Sequence, residues 1–353
     1  MKTPRFQPNS PFYEELKSSV ASYFKEKNIQ PTGGIRLLSK AIFLIVMLVT
    51  AYLALVLGNP SLGLSIFFWL LISFSFIGIG FNVMHDGGHC SFSDNKIINK
   101  LASYSLSIMG GSSHMWFIKH NVLHHTFTNV DGVDDDINVE PMMRMCRQQK
   151  WYGFHRYQYI YFVFLYSLLY FGWIFYMDYV KYFTKRIGTY ELPKMTLRQH
   201  FGFWGSKIAY LIIFIAIPIY TLGFFNFIIG YVIYLATTGL VVSVVFQLAH
   251  TVESTDFPET ENNKLASDWA THQIKTTANF APNNRIVSWF VGGLNYQIEH
   301  HLFPHISHIH YPKIRPIIKN ICQKYDIKYQ EYPSVVQAVV SHVRYLKMMG
   351  APN

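Results

Sequence analysis

The sequence predicts an all-α membrane protein: four transmembrane helices in two hairpins, carrying a helical cytosolic cap with a histidine-ligated dimetal site. Three observations predict it. Residues 41–84 and 208–249 contain no Lys, Arg, Asp or Glu. All 30 Lys and Arg residues lie outside those two stretches. Histidine clusters gather where the stretches end.

A membrane span needs about 20 apolar residues, so each uncharged stretch holds two spans and a turn. Gly58-Asn59-Pro60 breaks the first stretch, and the region 223–226 breaks the second. The expected spans are 41–57, 62–83, 208–224 and 229–249. Positive residues stay on the cytosolic side of a membrane. Both chain ends, the 84–207 segment and the 250–353 segment are therefore expected there. Residues 159–180 are apolar but rich in Tyr and Phe. A crossing here would carry Lys181, Lys185 and Arg186 out of the cytosol, so an interfacial or core helix is expected. The domain plan is a cytosolic segment 1–36, a membrane domain 37–320 and a C-terminal tail 321–353.

Composition agrees. Half of the residues are hydrophobic and only 14% are charged, against about 25% in soluble domains. The net charge of +10 follows from positive-inside loops, and no nucleic-acid-binding motif accompanies it. Arg144, Arg147, Lys150 and Arg156 are either such loop charges or a phosphate-binding set. Three scattered cysteines, Cys90, Cys146 and Cys322, form neither a disulfide framework nor a zinc site.

Of the 16 histidines, eight stand in an ordered pattern. His85 and His89 (HDGGH) follow the second span, and His120, His124 and His125 (HNVLHH) come next. His250 ends the fourth span, and His300 and His301 close QIEHH, which Gln297 opens. The expected topology puts all eight at one membrane face. On an α-helix, residues i and i+4 are neighbours, so His85/His89 and His120/His124 can each grip a metal. Adjacent histidines diverge by about 100° and can serve two metals. Eight imidazoles suit two ions, although imidazole alone does not choose between Zn, Cu, Fe and Ni. Asp86, Glu299 and the run Asp134-Asp135-Asp136 could accept the outer N–H of these imidazoles. His114, His155, His200 and His342 are expected to be solvated or capping, and His272, His305, His308 and His310 to pack or support.

HDGGH, HNVLHH and QIEHH resemble the three histidine boxes of membrane fatty acid desaturases. The opening Gln, with FQLAHTVE and NYQIEHHLFP, resembles the front-end branch. The resemblance covers about residues 35–320. It implies two iron ions, dioxygen as co-substrate, and an acyl chain as substrate, carried as acyl-CoA such as linoleoyl-CoA or as acyl-lipid. It implies His85, His89, His120, His124, His125, His250, His300 and His301 as metal ligands, with Gln297 at a position that is histidine in other branches. The HPGG haem motif of cytochrome b5 domains is absent from the sequence, and residues 1–36 are too short for that domain. An external electron donor, ferredoxin or cytochrome b5, is then expected. The alternatives are a di-iron hydroxylase, a sphingolipid desaturase or a metal transporter. Transporters place ionisable ligands within their spans, and here no histidine precedes His250 in either hairpin.

Overall fold

The computed structural model describes residues 3–352; the outermost positions, 1–2 and 353, at which both chain ends were expected to be cytosolic, lie outside the described residues. The chain opens with α1 (Pro11–Lys27), then α2 (Gly34–Leu57) and α3 (Leu62–Gly88), joined by the expected Gly58-Asn59-Pro60 turn. One face of α2 is buried through Leu37, Ala41, Leu44, Ala51 and Leu55. Its other face exposes Ile42, Phe43, Ile45, Val46 and Val49. A helix apolar on both faces is stable only where the outer face meets lipid.

A short α4 (Lys96–Ser103) leads to α5 (113–127), which carries the second histidine cluster. Next come the long α6 (Gly153–Thr184), α7 (Leu197–Leu222) and α8 (Phe224–His250). Gly223, at φ 74°, makes the tight turn between the last two, where the left-handed backbone favours glycine. The membrane helices close on the fully buried Trp69 of α3, which packs against Phe227, Tyr231 and Tyr234 of α8. A Cβ on Gly230 would stand 2.0 Å from the Trp69 ring, so this helix pair requires a glycine.

The cap is built from α9 (Trp269–Thr276), α10 (Arg285–Phe290), α11 (Gln297–Leu302), α12 (Tyr311–Lys324) and α13 (Val335–Met349). Two minimal sheets pin it: β1 (Arg186–Ile187) antiparallel to β2 (Tyr190–Glu191), and β3 (Asn279–Phe280) parallel to β4 (Glu331–Tyr332). Phe12 and Leu16 of α1 share a core with Ile314 and Ile318 of α12.

Among the described residues five helices, not four, are long and apolar enough to cross a membrane, the additional one being α6. The helices also outrun the uncharged stretches: α2 starts at Gly34 and α7 at Leu197, where Thr196 and Gln199 form a capping box. A helix ends where its caps are, and a charge-free run does not mark those caps. α6 is tied at both ends to the segment that follows α5. Near its start Gln158 bonds Arg144, and His155 bonds the Pro141 carbonyl at 2.7 Å. Near its end Lys181 pairs with Asp135 at 2.6 Å, and Ile187 packs on Ile118 and Leu123.

Candidate metal centre

The eight box histidines come from α3, α5, α8 and α11, with His89 capping the end of α3, and each is buried. His85, His89, His120 and His300 form one group with ligand atoms within 4.8 Å of one another. His124, His250 and His301 form a second, and His125 joins His300 and His301 in a third. His300 belongs to the first group and His301 to the second, and the two meet again in the third through His125.

His120 and His124 do form a group, with Asp136, whose ligand atoms lie within 4.8 Å of one another, but the helix that carries them is not α. Residues Ile118–His124 form a π-helical turn, and so do Gly80–Met84 just before His85. A π turn bonds i to i+5, so His125 comes round under His120, their Nε2 atoms 3.2 Å apart. His85 Nε2 lies 3.1 Å from the same His120 nitrogen. His124 is turned toward His250 and His301, ring centroids 4.7 Å and 5.0 Å away. Local spacing carries no signal for a π turn.

The outer nitrogens have identifiable partners. His124 Nδ1–H donates to Asp134 at 3.0 Å, His301 Nδ1–H to Gln273 Oε1 at 2.9 Å, His300 Nδ1–H to the Tyr311 hydroxyl at 3.2 Å, and His250 Nδ1–H to the Thr276 carbonyl at 3.3 Å. In all four the inner Nε2 is buried without a hydrogen-bond partner among the described residues, as is Nε2 of His89. A buried orphan nitrogen costs about 1–3 kcal/mol. Several facing one another would not be retained unless something accepts their lone pairs. Partner geometry fixes the tautomer with the lone pair inward, so the donor set fits metal binding. Burial, then neighbouring histidine charge, holds His89, His120, His125, His300 and His301 well below the ordinary imidazole range, which keeps them neutral. His124 is the exception: burial opposes its charge, but Asp134 and Asp136 outweigh it and raise its pKa.

The supporting carboxylates are not the ones nearest in sequence. Asp134 holds His124, and is itself held by the backbone N–H groups of Asn129 and Asp136. Asp86 instead accepts from His308 at 3.0 Å and Ser307 at 2.7 Å. Glu299 bonds Asn279 and Tyr329, and burial pushes its carboxyl up to about 7. Asn279 also accepts the Ile298 N–H, so Glu299 steadies the start of α11. Gln297 is buried within reach of His250, its Nε2 without a partner among the described residues. Arg144 is buried and bonds the Gln149 and Arg147 carbonyls, a structural role rather than an open phosphate site.

The remaining histidines stay apart from the cluster. His155 caps the start of α6, His200 bonds Tyr182, His114 bonds Gln199, and His342 bonds Tyr166 and Thr251. His305 donates to the His89 carbonyl and His310 to that of Thr32. His272 is buried against Phe6. Its neighbour Gln273 is the residue that sequence reasoning missed; it holds His301 from a helix distant in sequence. Trp116 was missed as well, and stacks on His120 at 4.6 Å.

An apolar slot opens at this cluster, lined by Phe76, Met84, His85, Trp116, Phe246 and, from α6, Tyr170 and Trp173. The aromatic 159–180 segment thus supplies part of its wall. Fold and site together define a membrane protein in which a cluster of buried imidazoles, the candidate metal centre, borders a narrow apolar cavity of about 40 Å³ at His85. Residues 60–333 match the Fatty acid desaturase family, and the chain belongs to that family. It is 35% identical to the sn-1 linoleoyl-lipid 6-desaturase of Arthrospira platensis, over 96% of this chain and 92% of the relative. It is 33% identical to the protein of the same name from Synechocystis, over 98% and 97%. To the acyl-lipid (8-3)-desaturase of Physcomitrium patens it is 35% identical, over 97% and 72%. These are front-end desaturases, the branch that the third box resembles. The protein is an oxidoreductase acting on fatty acyl chains, which sets aside the transporter reading.

Proposed function

We propose that the protein is a di-iron, oxygen-dependent front-end desaturase that introduces a cis double bond between an existing double bond and the carboxyl end of an acyl chain. The observation that carries this reading is the set of buried imidazoles with inward orphan nitrogens at the mouth of an apolar slot. His85, His89, His120 and His300 would hold one iron, His124, His250 and His301 the other, with His125 between them. Two irons bound there would, with dioxygen, two electrons and two protons, supply the oxidising power to take two hydrogens from neighbouring methylenes, leaving an alkene and two waters.

The chain's own residues do the rest. Asp134, Gln273, Tyr311 and Thr276 fix the imidazole tautomers before any ligand arrives. The cavity beside His85 has an apolar lining and a volume of only about 40 Å³, so it would have to widen for an acyl chain to lie against the cluster. The similarity to linoleoyl-lipid 6-desaturases and an acyl-lipid (8-3)-desaturase favours an acyl-lipid over an acyl-CoA substrate. Electrons come from a separate acidic donor, ferredoxin or cytochrome b5, docking on the basic cap. For topology, α2, α3, α7 and α8 cross, and α6 lies at the cytosolic face. The attachment of both its ends to the 113–150 segment supports this reading.

Expression in a host fed defined unsaturated acids, with lipid mass analysis, tests the function. Products two mass units lighter, with the new bond on the carboxyl side, are expected. Products sixteen units heavier would instead make it a hydroxylase.

A further inference from the structure

A cavity of about 510 Å³ lies apart from the acyl slot, among the first turns of α2, the helix α10 and the residues preceding α12. Its size falls within the roughly 300–1,000 Å³ of small-molecule sites. Arg36, Ser39, Lys40 and Phe43 line it from α2, with Trp289 opposite. Arg36 is exposed at its rim. The Lys40 ammonium is turned inward, bonding the Asn82 side chain and the Trp289 carbonyl, 4.6 Å from the centroid of the Trp289 ring. Among the described residues neither cation forms an ion pair with a carboxylate. The nearest acidic influence on Lys40 is Asp86, which His308 and Ser307 already hold.

The cavity sits at the water boundary. Below it α2 exposes Ile42, Phe43 and Val46, and beside it α10 exposes Ile286 and Trp289 while burying none of its residues. Exposed Trp beside basic residues is the signature of the headgroup layer. It shares no lining residue with the acyl slot. Gly292, beside it, packs on the π turn, where a Cβ would stand 2.3 Å from the Phe81 carbonyl oxygen.

We propose that this cavity binds the anionic headgroup of a membrane phospholipid that is not the molecule being desaturated. Arg36 and Lys40 hold the phosphate, and Trp289 and Phe43 flank the glycerol and upper chains. The site rests on the membrane orientation given above. Through Lys40 and Asn82 it touches the helix that carries His85, so occupancy steadies that helix.

The test uses iron-loaded protein, delipidated in detergent and titrated with phosphatidylglycerol or phosphatidylcholine under native mass spectrometry. Phosphatidylglycerol should be retained and phosphatidylcholine should not. Arg36→Gln, at a solvent-exposed position that folding does not depend on, should weaken retention about five-fold, as should Lys40→Gln. Iron content and product formation, read separately, should persist in Arg36→Gln, which keeps this test independent of the desaturase reading. Equal retention of the two lipids, or full retention in Arg36→Gln, overturns the proposal. So does displacement of the lipid by millimolar coenzyme A, which would assign the phosphate site to a soluble ligand.

Discussion

Asp134→Asn removes one charge and almost no volume from beneath the candidate metal centre. Asp134 is 1% exposed, so water cannot substitute for lost partners. Its two oxygens lie 3.2 and 3.0 Å from His124 Nδ1, and also accept the N–H groups of Asp136 at 3.0 Å and Asn129 at 2.9 Å. An asparagine can turn its oxygen to only one side. Whichever way it flips, its NH₂ meets a backbone N–H, and one buried donor is left unpaired at about 1–3 kcal/mol. The His124 tautomer is also no longer enforced, and losing such a support weakens metal binding about 10- to 100-fold. Iron retained against a graded chelator series, measured by elemental analysis, reads the effect. Asp135→Asn is the control, because Asp135 pairs with Lys181 and Lys119 rather than with an imidazole. Equal retention by the two variants would show that the carboxylate does not support the site.

Gln297→Ala should keep most of its metal while losing most desaturation, whereas His124→Ala and His301→Ala should lose both; full activity in Gln297→Ala would reduce the glutamine to packing. Labelling of single cysteines at Lys185 and Asn59 should place them on opposite sides of the membrane. A shared side would mean that α6 crosses. Activity with a reduced acidic carrier should fall as salt rises, and equal turnover with dithionite and no carrier would remove the need for a docking partner. His342, held at about 4 by burial, stays neutral when folded but takes up a proton near 6.5 when unfolded. Its contribution is complete above pH 6.5 and declines toward pH 4, by about 3 kcal/mol. The acid-side loss of thermal stability should therefore be shallower in His342→Gln. An unchanged slope contradicts the assignment.

What the sequence disclosed depended on the range of the signal. Charge-free stretches mark lipid-facing segments because burying an ion in hydrocarbon is costly, and the turns at Gly58-Asn59-Pro60 and Gly223 were equally local. The histidine boxes were legible because adjacent buried imidazoles have few structural uses. The partition of those histidines was not, since the π turn at Ile118–His124 leaves no mark in residue spacing. Of the outer partners of the imidazoles, the acidic run that supplies Asp134 was legible, and the rest were not. Gln273 reaches His301 and Tyr311 reaches His300 only through tertiary packing. Asp86 and Glu299 were plausible by proximity in sequence, yet the chain turns them toward His308 and Asn279. α6 was the hardest element, because an apolar helix at an interface and one across a bilayer differ chiefly in what their ends touch.

Elemental analysis with Mössbauer spectroscopy of the purified protein tests the central claim most directly. About two irons per chain, in one coupled pair that is lost on His301→Ala, is the predicted result. A single iron, or stoichiometric zinc in a preparation that still forms the double bond, would contradict it.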